Sequence, residues 1–96
     1  MARVTVSEAT VLSLAPHIVF RFDDTRQRWV ILAPERLMLP DEQAVEILKL
    51  LDGKASVAGM IDGLAARYTQ APRELIAKDV LAMLQDLADK GVLADG

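Results

Sequence analysis

A chain that performs chemistry must bring together a nucleophile and its base, a pair of carboxylates in a cleft, or a set of metal ligands. His17 is the only histidine and cysteine is absent, so the usual imidazole and thiolate ligands of a zinc site cannot be assembled. His17 therefore reads as a partly exposed strand residue. Asp23 and Asp24 are the nearest thing to a carboxylate pair, but adjacent acids followed by Thr25, Arg26 and Gln27 read as solvated turn formers. Gly59 and Gly63 have the small-xxx-small spacing of helix packing, yet Asp62 and Arg67 beside them make a membrane dimerisation face too polar. Trp29, the lone tryptophan, has the surface to stack on a ring ligand, and within an apolar strand it reads as core or interface. The sequence thus predicts no catalytic residue, no metal and no cofactor.

The elements that would position these residues follow from periodicity. Between His17 and Asp23, apolar Ile18, Phe20 and Phe22 alternate with other side chains, the period-2 pattern of a half-buried strand. Arg28 to Ala33 is a second strand, apolar on both faces and broken by Pro34 and Glu35. Arg36 to Leu39 is a short third strand ended by Pro40. Two short connections favour an antiparallel meander.

A first helix is predicted from N-cap Asp41, with Ala44, Val45, Ile47, Leu48 and Leu51 as its apolar stripe and Gly53 at its C′ position. A second follows N-cap Ser56 up to about Tyr68. The third opens with Pro72 near N1 and runs through Leu75, Ile76, Val80, Met83, Leu84 and Leu87 to Lys90 and Gly91. Val92 and Leu93 then fold back onto the helix end. Three strands followed by three helices define one α+β domain over residues 1–96, winged-helix-like, with residues 1–15 expected to be loosely ordered.

Composition narrows the partners. With 52% hydrophobic but only 4% aromatic residues, the core must be aliphatic. Residues 1–40 carry five basic and four acidic side chains, whereas residues 41–96 carry six basic and ten acidic, a helical half ill suited to phosphates. No segment approaches the roughly 20 apolar residues that span a bilayer, and the first residues lack a signal peptide's apolar stretch. The expectation is a cytoplasmic protein with no membrane and no nucleic-acid partner.

One feature exceeds what a plain core requires. Arg36, Leu37, Met38 and Leu39 form a short apolar strand bounded by Pro34 and Pro40. At a sheet edge, its unpaired N–H and C=O groups would template an added strand; beneath the helices, they would not. The pattern leaves both arrangements open.

The run Arg28-Trp29-Val30-Ile31-Leu32-Ala33-Pro34-Glu35-Arg36, followed by Asp41 through Ala44, Ile47-Leu48, Asp52-Gly53, Ser56-Val57, Ile61, Leu64-Ala65, Tyr68, Asp79-Val80, Leu84, Leu87 and Gly91, resembles the PqqD family of pyrroloquinoline quinone (PQQ) biosynthesis. The likeness covers roughly residues 7–94. It implies a non-catalytic peptide chaperone, a RiPP recognition element that binds the leader of the PqqA precursor peptide and presents it to the radical SAM enzyme PqqE. It further implies that the leader adds as a strand beside Arg36, Leu37, Met38 and Leu39 and rests against the third helix, with Val80, Met83, Leu84 and Leu87 as candidate groove residues. Two alternatives compete: a DNA-binding winged-helix regulator reading through the third helix, and a module that forms a homodimer through the same edge. The first fits poorly, because Arg73, Lys78 and Lys90 are outnumbered there by Glu74, Asp79, Asp86 and Asp89.

Overall fold

The period-2 segments do form a sheet. In a computed structural model that describes residues 4–95, the chain runs β1 (Leu12–Leu14), β2 (Val19–Asp23), β3 (Arg28–Ala33), β4 (Arg36–Met38), α1 (Glu42–Lys49), α2 (Val57–Arg67), α3 (Arg73–Asp89) and β5 (Leu93–Asp95). β2, β3 and β4 make an antiparallel sheet in that order, and β1 pairs with β5 in a second, two-stranded sheet. Phe20 stands opposite Ile31, and Ile31 opposite Met38. These three point to one face, as alternation demands, and pack into the helical core. Trp29 shares that face: it stacks on Phe20 at 4.7 Å between centroids, meets Phe22 edge-on at 5.9 Å, and lies beneath Lys49 Nζ of α1 at 4.7 Å.

Each helix begins where its capping chemistry allows. The Asp41 carboxylate accepts from the Ala44 N–H at 2.8 Å and the Ser56 hydroxyl from the Gly59 N–H at 3.2 Å, each satisfying a donor that the helix leaves orphaned. Pro72 sits at the N-cap of α3, one residue earlier than N1. Helix α1 ends at Lys49, before the expected stop at Gly53. The Asp52 carboxylate explains the difference: it accepts from the N–H groups of Lys54 and Ala55, both at 2.8 Å, and folds residues 52–55 into a turn in which Gly53 takes φ +75°. His17 is also not a strand residue. Its φ of +70° places it in the turn before β2.

The core is aliphatic and lies among the helices, where Ile47 and Leu48 of α1, Val57, Ile61 and Leu64 of α2, and Val80, Leu84 and Leu87 of α3 are buried. Helix α3 stops in a Schellman motif: the N–H of Val92 bonds the Leu87 carbonyl at 2.9 Å and that of Gly91, at φ +82°, bonds the Ala88 carbonyl at 3.0 Å. That reversal buries Val92 and delivers the chain into β5.

The segment expected to be loose is instead built into this arrangement over its described residues. Leu12 is 1% exposed, and β1 pairs Leu12 with Asp95 and Leu14 with Leu93. Upstream, the backbone carbonyls of Thr10 and Glu8 accept from the N–H groups of Val57 and Ala58, two orphan donors of the first turn of α2. Gln85 of α3 holds the arm further out, its side-chain carbonyl accepting from the Val6 N–H and its amide donating to the Val4 carbonyl, each at 2.8 Å. Residues 1–3 of the expected loose segment lie outside the described residues.

Candidate functional site

β4 is an edge strand, and the register fixes which of its backbone groups are free. Only Pro34 and Glu35 separate the paired residues Ala33 and Arg36. In so tight a hairpin the closing pair must exchange its own backbone hydrogen bonds, since the intervening residues are adjacent and cannot bond each other. Alternation then gives Ile31 and Met38 the next exchanged pair and turns the N–H and C=O of Leu37 away from β3. Leu39 lies one residue beyond β4 and continues along the same edge. No backbone partner for Leu37 or Leu39 is found on the outer side among the described residues.

That open side borders a groove of about 620 Å³ between β4 and α3. Met38, Leu39 and Pro40 form one wall and Ala82, Met83 and Leu87 the other. Arginines brace both ends of the β4 segment: Arg36 donates to the Lys90 carbonyl at 2.8 Å, at the negative end of α3, and Arg28 to the Pro40 carbonyl at 3.2 Å. Asp41, Asp79, Asp86 and Lys90 line the groove as charged groups, and Lys90 is bonded to Asp86 at 2.8 Å. A second groove of about 400 Å³, between α1 and the α2–α3 pair, adjoins the first through Gln43, Asp79 and Met83.

The residues singled out from the sequence separate into three groups. Met38, Leu39 and Met83 face the first groove, with Leu87 buried at its base. Leu37 brings its backbone to the open edge while its side chain, 39% exposed, lies outside the groove lining. Val80 and Leu84 are both buried in the core, Leu84 completely, and neither lines the β4–α3 groove; Val80 borders the second groove instead. Arg36 is likewise engaged, its guanidinium joining β4 to α3.

The stripe of α3 that does face the groove is Asp79, Ala82, Met83, Asp86 and Lys90. It repeats at helical spacing beside the core stripe Ala77, Val80, Leu84 and Leu87. Met83, already among the candidate groove residues, lies on this stripe, while Asp79, Ala82, Asp86 and Lys90 are small or charged positions that apolar periodicity does not mark.

No group of three or more His, Cys, Asp or Glu among the described residues is placed to hold a metal ion, and no described helix is long and apolar enough to cross a membrane. An edge strand with outward-facing amides, set across a groove from a helix, is the geometry of a small α+β binding module that can take a peptide as an added strand.

The comparisons agree. The family model for coenzyme PQQ synthesis protein D (PqqD) matches residues 28–93. A PqqA binding protein of Rhodopseudomonas palustris is 61% identical over 93 residues, covering 97% of this chain and 90% of its own. The solution structure of the PqqD truncation of Methylobacterium extorquens PqqCD, described as a functional, stand-alone RiPP recognition element, superposes with a TM-score of 0.78 at 38% identity over 98% of this chain and 99% of that one. The crystal structure of PqqD from Xanthomonas campestris gives 0.54 at 31% identity over 90% and 94%. The chain belongs to the PqqD family.

Proposed function

We propose that this chain is a peptide chaperone of PQQ biosynthesis that binds the leader of the PqqA precursor peptide as a strand added to β4, and presents it to the radical SAM enzyme PqqE. The observation that carries the reading is the open backbone of Leu37 beside the β4–α3 groove. Family membership supports the identity of the peptide, since relatives up to 61% identical are PqqA binding proteins. The groove supplies apolar contact through Met38, Leu39 and Met83, and the edge supplies directional hydrogen bonds. Neither requires a reactive group.

The location is cytoplasmic in this reading, and nucleic acid is no partner. Of the three cations along α3, two are already engaged, Arg73 with Glu8 at 2.8 Å and Asp62 at 2.7 Å and Lys90 with Asp86, which leaves Lys78 alone among the acids of that helix. Self-pairing through β4 would occupy the same edge, so a homodimer and the leader complex exclude each other there. Titrating a labelled PqqA leader into the isolated protein while following its sedimentation tests both points. Saturable 1:1 binding to a monomer supports the reading, and a stable dimer that ignores the peptide refutes it.

A further inference from the structure

Apart from Lys90, the charged groups that line the two adjoining grooves are acids. Asp41, Asp79 and Asp86 border the β4–α3 groove, and Glu42, Glu46 and Asp79 its neighbour. Most of these carboxylates already have partners. Asp41 caps α1, Asp86 holds Lys90, and Glu46 takes Arg67 at 2.7 Å and the Tyr68 hydroxyl at 2.7 Å. Asp79 is different. It borders both grooves, is exposed, and has no ion pair or hydrogen bond to any described side chain. Lys78 is adjacent in sequence and so projects from another side of the helix, while the α1 wall offers Asp41, Glu42 and Gln43. The β4 wall offers only apolar Met38, Leu39 and Pro40.

We propose that the strand seated beside β4 carries a lysine or arginine whose side chain reaches Asp79, and that this pairing sets the register of the bound peptide. The inference rests on the strand-addition reading. Backbone hydrogen bonds along an edge are nearly blind to sequence, so a strand can slip by two residues and keep them. Apolar contacts with Met38, Leu39 and Met83 discriminate weakly, because flexible methionines adapt. A single unpaired carboxylate at the junction of two grooves breaks that degeneracy: one register neutralises it, and the others leave it facing an apolar or acidic side chain.

The test uses the full chain and the PqqA peptide, with affinities measured calorimetrically for the parent, Asp79→Asn, Lys78→Gln and Leu37→Pro at low and high salt. Asp79→Asn should weaken binding about three- to fivefold, Lys78→Gln should not, and the parent should lose affinity as salt rises. Replacing the basic residues of the peptide by alanine, one at a time, should reveal one whose removal has no further effect in the Asp79→Asn background. Equal binding by the parent and Asp79→Asn, together with loss of binding in Leu37→Pro, would overturn the register inference and leave strand addition standing. Undiminished binding by a folded Leu37→Pro would overturn strand addition itself.

Discussion

Because register gives alternate residues of β4 opposite duties, proline substitution should separate binding from folding. Met38 exchanges backbone hydrogen bonds with Ile31, and its side chain packs against the core. Met38→Pro removes the N–H from that exchange and truncates the packing, a combined cost of about 2–3 kcal/mol. For a domain of this size, that lowers Tm by roughly 10–20 °C. The N–H of Leu37 faces outward, so Leu37→Pro removes a donor that only an added strand would use. One such bond is worth about 0.5–1.5 kcal/mol, or about 2- to 12-fold in Kd. The ring also occupies space where the peptide backbone must approach, which moves the expected loss to the upper end of that range. Thermal melts by circular dichroism and peptide titrations on the same two samples give both quantities. Met38→Pro should lose mainly Tm and Leu37→Pro mainly affinity. The reverse assignment, or equal loss of both in both variants, would refute the parity derived from the Pro34–Glu35 hairpin.

Other perturbations probe the frame. Gln85→Ala removes both hydrogen bonds to the arm at Val4 and Val6, so amide exchange at Val6 should quicken, with a stability loss of about 1–2 kcal/mol by denaturant unfolding. Gly91→Ala places a side chain at φ +82° with open space around it, so backbone strain alone should cost about 1–2 kcal/mol, read as a lowered Tm. The N–H groups of Ala55 and Lys54 hold the Asp52 carboxyl below its ordinary 3.8. A depressed value stabilises the fold above 3.8 and loses that stabilisation as pH falls through the folded-state value, so Asp52→Ala should flatten the drop in Tm on acidification below pH 3.8.

Much of this architecture was legible in the residues. The alternation of Ile18, Phe20 and Phe22, the prolines at 34 and 40, and the caps at Asp41 and Ser56 are local signals, and local signals mark local elements. β1 and β5 left no such mark. Each is three residues long, too short for a period, and they pair across nearly the whole chain. The anchoring of the arm depends on Gln85, whose role exists only once α3 lies beside Val4 and Val6. At the candidate site, β4 is legible as a short strand bounded by Pro34 and Pro40, whereas on the α3 side only Met83 and Leu87 of the groove lining stand out as large apolar residues. Sequence shows the strongest apolar stripe of a helix, which is the stripe a domain spends on its own core, so Val80 and Leu84 were drawn in. The weaker neighbouring stripe around Met83, mostly polar and charged, is the one the groove exposes.

Strand addition to β4 is tested most directly by amide-resolved NMR of the labelled protein titrated with the PqqA leader. The amides of Leu37 and Leu39 should shift and become protected from exchange, cross-strand contacts should join Leu37 to the peptide backbone, and Met83 should shift across the groove. Saturable binding that leaves Leu37 and Leu39 unprotected, with its shifts instead on β2 or the exposed side of α2, would contradict it.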